Sequence, residues 1–115
     1  MPHRDWCLRI QDIIEAIEKI LRYTEGMTFE EFAKDERTVD AVIRNFTVIG
    51  KASRHIPQEI EQRYADVPWQ EMRGMRHILV HEYFGVSMQI LWHTIKYDLP
   101  PLLPKLRSIL KEHLP

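Results

Sequence analysis

Residues 5–24, DWCLRIQDIIEAIEKILRYT, place Leu8, Ile10, Ile13, Ile14, Ile17, Ile20 and Leu21 at spacings of mostly three and four, with charged residues between them. That period belongs to one long amphipathic helix whose apolar stripe must be covered by neighbours. Outward from it the punctuation is helical throughout. Gly26 ends the segment, and Thr28 with Glu31 three residues later is a capping-box signature for a short second helix. From about Asp35 a longer helix carries Val39, Val42, Ile43, Phe46 and Ile49 on its apolar side, until Pro57 interrupts the pattern and starts another short helix. Asp66 as N-cap and Pro68 in the first turn open a helix that runs to about Tyr83, where Gly85 supplies a stop. Ser87 caps the next helix, through Met88, Ile90, Leu91, Trp92 and Ile95. Pro100 and Pro101 then force a corner before a last helix. Nothing has the period of a strand. The expected fold is all-α, an antiparallel up-and-down helical bundle of four to five main helices.

At 115 residues the chain has the size of one domain, spanning 1–115, with modest area for a core, so a partner subunit would help it. Its 16 Lys and Arg against 17 Asp and Glu leave a formal charge of −1, which argues against a surface coated for nucleic acid or membrane and confines any RNA contact to a local patch. The one cysteine, Cys7, forms no internal disulfide and builds no zinc finger. No signal-peptide pattern opens the sequence and no apolar run approaches the ~20 residues that span a bilayer, so a cytoplasmic location without membrane contact is expected.

One segment does not fit a helix built only for packing. Residues 74–85, GMRHILVHEYFG, concentrate an arginine, two histidines, a glutamate and a tyrosine, side chains that are costly to bury. At ~100° per residue, Arg76 and His81 stand ~140° apart, His77 and His81 share a face, and Arg76 and Tyr83 share a stripe. A regular helix therefore does not bring all four groups to one point. Either the helix loosens before Gly85, or the groups meet counterparts from a second copy across a two-fold axis, the arrangement favoured here. Individually, such residues are more often packing or solvated groups than catalysts. His77 and His81 also have the i, i+4 spacing of zinc ligands, but Ile78 replaces the glutamate of the metalloprotease helix and spacing indicates no third ligand, so no metal site is expected. His3, His55, His93 and His113 are scattered and are read as surface or packing residues, and the methionines and tryptophans as core. Lys51, Arg54 and His55 form a short basic run that could hold phosphates if its face borders the histidine segment; Arg73 is a further candidate RNA contact.

Arg76 to Tyr83, RHILVHEY, fits the pattern R-x-x-x-x-H-x-Y, and here the sequence resembles the HEPN-domain ribonuclease toxins of the HepT type. The resemblance extends over DIIEAIEKILRYTEGMTFEEFAKDERTVDAVIRNFTVIGKA, VPWQEMRGMRHILVHEYFGV and WHTIKYDLPPLLPKL, which are similar to that family's successive helices in order. It implies an antiparallel helical bundle, a homodimer with the motif helices close to the two-fold, and RNA cleavage that needs neither metal nor cofactor. It implies catalytic roles for Arg76 and His81, with His77 at the polar position after the arginine where the family most often has Asn. Tyr83 matches the tyrosine that a minimal nucleotidyltransferase antitoxin of the MntA kind modifies with AMP, in a type VII-like toxin–antitoxin pair. Lys51 departs from the family by standing where an acidic residue is expected.

The chemistry is consistent with this. RNA carries its own nucleophile, the 2′-OH, so its cleavage requires a base, a cation for the crowded phosphorane and an acid for the leaving 5′-oxygen. Histidine titrates near neutrality, and arginine presents a charged fork matched to phosphate oxygens. His81 then serves as general acid/base, Arg76 as phosphate clamp, and His77 as orienter or second proton-transfer group. The alternative is a non-catalytic nucleotide- or RNA-binding helical module that uses the same cations only to hold phosphate.

Overall fold

The computed structural model describes residues 3–81 and 87–113, with side chains for 5–75 and 87–113. Helix α1, His3–Thr24, buries Trp6, Cys7, Ile10, Ile13, Ile14, Ile17 and Ile20. Leu8, expected on this stripe, is instead 52% exposed. It stands ~200° from both Trp6 and Ile10 on the wheel, so the aromatic ring and the thiol take the place at the helix start. At the other end the buried Thr24 hydroxyl donates to Ile20 O at 2.9 Å, and Gly26 turns the chain with φ of 76°, a conformation that a side chain would strain.

Helix α2, Phe29–Lys34, begins with the expected capping box: Glu31 N–H donates to Thr28 Oγ1 at 3.1 Å and Thr28 N–H to Glu31 Oε1 at 2.9 Å. Asp35 both closes α2, through its own N–H to Phe32 O, and opens α3, Glu36–Ser53, by accepting from Thr38 N–H at 3.1 Å. Helix α3 packs along both α1 and α5. That two-sided position explains why Val39, Val42, Ile43, Phe46, Ile49 and Ala52 are buried together with Asn45 and Ser53, whose side chains donate back to Ala41 O and Ile49 O.

Pro57, at φ −61°, is the N-cap of α4, Gln58–Arg63. The next helix, α5, is Trp69–His81, two residues later than an Asp66 cap requires. Pro68 lacks an N–H and disfavours helical backbone at Val67, whose side chain is buried instead, and Asp66 uses its carbonyl to accept from Lys105 Nζ at 3.0 Å. Ser87 caps α6, Met88–His93, accepting from Ile90 N–H at 3.3 Å. The chain widens through Asp98 into a turn in which Leu99 N–H reaches back five residues to Thr94 O at 2.9 Å. Pro100 and Pro101 follow, and α7, Leu102–His113, returns along α1. Ile90, expected on the apolar side of α6, is 70% exposed, whereas Trp92 lies 5.1 Å from the Phe32 ring.

Trp6 meets His113 edge to face at 4.8 Å, while further along α1 Glu18 pairs with Arg107 at 2.5 Å. Thus α7 runs antiparallel to α1. The four longer helices α1, α3, α5 and α7 form an antiparallel all-α bundle with α2, α4 and α6 at its turns, and the described residues contain no strand. No helix among them is long and apolar enough to cross a membrane.

Candidate functional site

Helix α5 carries four of the candidate residues: Arg73, Arg76, His77 and His81. Its start is anchored by apolar and polar contacts together. Pro68 O accepts from Met72 N–H at 3.0 Å, the Trp69 indole N–H donates to Tyr64 O at 3.0 Å, and the Trp69 and Met72 side chains are buried in the core. One turn on, the Arg73 guanidinium forms a salt bridge with the Glu61 carboxylate of α4. The helical backbone then continues unbroken through Arg76 and His77 to His81. The side chains of these three residues, and Tyr83 altogether, lie outside the described residues. The ~140° between Arg76 and His81 expected for a regular helix therefore applies to their positions on this backbone.

Lys51 and Arg54 are exposed at the end of α3. Arg54 and His55 line a cleft with Asp5, Arg9, Asp12 and Glu59, so these two residues of the basic run share it with carboxylates from α1 and α4. This is the pole of the bundle where α1 and α5 begin and α7 ends, as the contacts of Trp6 and Tyr64 with His113 and of Trp69 with Tyr64 require. His81 closes α5 about 18 Å further on at 1.5 Å per residue. Within one chain, then, Lys51 and Arg54 are gathered at the opposite end of α5 from His81, and Arg73 is gathered with Glu61.

Sequence reasoning missed Glu61, which is twelve residues from Arg73 and on another helix, where no local pattern signals a pair. It also missed the polar cluster at the same pole, in which Tyr64 donates to Glu112 and meets His113 Nε2 at 2.8 Å. Desolvation and the Glu112 hydrogen bond hold the Tyr64 phenol above its ordinary pKa, and burial raises the Cys7 thiol. Asp35 is shifted the other way, chiefly because it accepts from the Thr38 backbone N–H.

An all-α bundle with an arginine and two histidines on one helix has the groups that phosphate chemistry uses, and comparison with known proteins places it in a family. The family model described as "Ribonuclease HepT-like" matches residues 13–109. The chain belongs to the HepT-like ribonuclease family. It is 42% identical over 109 residues to a Thermococcus cleftensis protein named "Probable ribonuclease HepT", covering 95% of this chain and 96% of that one. It is similar also to "Putative RNase MJ1216" of Methanocaldococcus jannaschii, at 38% identity over 97% of this chain and 93% of the relative. A third relative, "Putative RNase TTE0752" of Caldanaerobacter subterraneus, is 36% identical over 90% of this chain and 92% of its own length. No solved structure matches the chain.

Proposed function

We propose that this protein is a metal-independent endoribonuclease and the toxin of a type VII-like pair, silenced when a nucleotidyltransferase antitoxin of the MntA kind adds AMP to Tyr83. The observation that carries the reading is the string RHILVHEY at residues 76–83, in a chain matched by the HepT-like family model from 13 to 109. His81 takes the proton of the RNA 2′-OH as that oxygen attacks the adjacent phosphorus. Arg76 neutralises the phosphorane oxygens, and a second imidazole, from His77 or from His81 of another copy, protonates the departing 5′-oxygen. The phosphorus–5′-oxygen bond breaks, leaving a 2′,3′-cyclic phosphate and a 5′-hydroxyl. The nucleophile belongs to the substrate and the charge is met by arginine, so the reaction as written needs no metal ion. Lys51 and Arg54, at the opposite end of α5 from His81, do not border the scissile phosphate within one chain. The protein acts as a homodimer in the cytoplasm.

Silencing follows from the same electrostatics. The Tyr83 oxygen attacks the α-phosphorus of ATP and pyrophosphate leaves, which puts an anionic phosphodiester seven residues from Arg76, where it competes with RNA for the guanidinium. The test is cleavage of RNA by the purified protein in EDTA, wild type against His81→Ala. Removal of a positioned acid/base costs ~10²–10⁴-fold in rate. Full activity in the variant, or activity abolished by the chelator, overturns the mechanism. Binding of RNA without cleavage would favour the non-catalytic module. Intact mass after incubation with the partner enzyme, ATP and magnesium tests the silencing: AMP mass must appear on the wild type and not on Tyr83→Phe.

A further inference from the structure

We propose that Glu61 is a positioning residue for the active-site helix: its carboxylate on α4 holds Arg73 of α5 and so fixes the rotation of α5 about its own axis, three residues before Arg76 and eight before His81. The inference rests on the ribonuclease reading and deepens it.

The Glu61–Arg73 pair sits in a cleft between α4 and the start of α5, with its side chains 21% and 35% exposed. Glu61, Asp66 and Glu71 line that cleft, and Arg73 is the one cation among its described lining residues. A phosphate entering there meets a surplus of carboxylates and an arginine whose charge is already answered. Contact of Arg73 with RNA is therefore disfavoured, and its role lies in the pair itself. Partly exposed ion pairs contribute little to global stability, but a charge-assisted bond has direction. Trp69 and Met72 hold the first turn of α5 by packing, and apolar contacts tolerate some rotation. Among the described residues, the Glu61 contact is the last polar link from another element to α5 before Arg76. A turn of ~20° about the helix axis swings a side-chain tip ~6 Å out by ~2 Å, and a misplacement of ~1 Å already costs on the order of 10²-fold in rate.

The experiment compares wild type, Glu61→Gln, Arg73→Ala and the charge-reversed pair Glu61→Arg with Arg73→Glu, by steady-state RNA cleavage and by the ring resonances of His77 and His81 in ¹⁵N-labelled protein. In Glu61→Gln kcat should fall by roughly tenfold or more with KM within about twofold, the two imidazole signals should move, and the charge-reversed pair should restore most of both. A raised KM with intact kcat in Arg73→Ala overturns the proposal and makes Arg73 a direct RNA contact. Glu61→Gln behaving as wild type in both readouts, or no recovery in the charge-reversed pair, also overturns it. Should the wild type fail to cleave RNA, the ribonuclease reading falls, and the imidazole signals alone decide whether Glu61 positions the helix.

Discussion

Tyr64 donates its hydroxyl hydrogen to Glu112 at 2.7 Å, joining the segment between α4 and α5 to the last turn of α7 across 48 positions of sequence. The fold holds the neutral phenol, because burial and the Glu112 hydrogen bond both raise its pKa. The contribution is therefore fully present below the ordinary tyrosine value of about 10 and is lost as pH rises through the higher folded value. Tyr64→Phe should lower stability at neutral pH by no more than about 1 kcal/mol, since the oxygen pair is near solvent. Urea midpoints from pH 7 to 11 check this. The gap between wild type and Tyr64→Phe should close at the alkaline end, and a constant gap would mean that ring packing, not the hydroxyl, is responsible.

Asp35 gives the opposite dependence. Its carboxylate caps α3 through Thr38 N–H, which lowers its pKa. The stabilisation is present above the ordinary aspartate pKa and disappears as pH falls through the depressed folded value. Asp35→Ala should melt at a lower temperature than wild type at pH 6, and the gap should narrow as pH falls below the ordinary aspartate range. Asp35→Asn keeps a neutral side-chain acceptor and should fall between them at pH 6, with a lead over Asp35→Ala that does not titrate.

These caps were legible because each is a local event. Thr28 with Glu31 and Ser87 act on backbone groups within three residues, and Asp35 and Pro57 mark the starts of α3 and α4 where the pattern changes, so residue type and spacing suffice to place them. Asp66 was misread because Val67, buried in the core, and Pro68 decide where α5 begins. Leu8 and Ile90 were misread for a related reason. An apolar residue declares hydrophobicity but not which neighbour covers it, and Trp6 and Leu91 occupy the inward positions instead. The same limit applies to the site. Arg76, His77 and His81 stand out as a string on one helix, whereas Glu61 acquires its role only when α4 folds against α5.

Cys7 is buried at 1% exposure and its thiol pKa is raised by desolvation, so little reactive thiolate exists in the native state. Alkylation by iodoacetamide at pH 8 should be at least about 10²-fold slower in the native protein than in guanidinium-unfolded protein. It should accelerate in Phe46→Ala, which removes a fully buried ring from α3 and should cost about 3–5 kcal/mol. Native labelling at the unfolded rate would show that the start of α1 opens independently of the core.

The regular backbone from Arg76 to His81 bears on the proposed homodimer. Groups ~140° apart on one straight helix diverge, so a site that needs both is most simply completed by a second copy related by a two-fold axis. Arg76→Ala and His81→Ala subunits, each inactive alone, should then complement when mixed and allowed to exchange, because a mixed dimer retains one intact arginine and one intact histidine on opposite chains. Cleavage of RNA by the mixture, against either variant at the same total concentration, is the measurement. Recovery of a clear fraction of wild-type activity, growing with exchange time, is expected. Exchange verified by native mass spectrometry without any recovery would place Arg76 and His81 of the same chain in one site, and a monomeric, active wild type in sedimentation at micromolar concentration would remove the dimer from the mechanism.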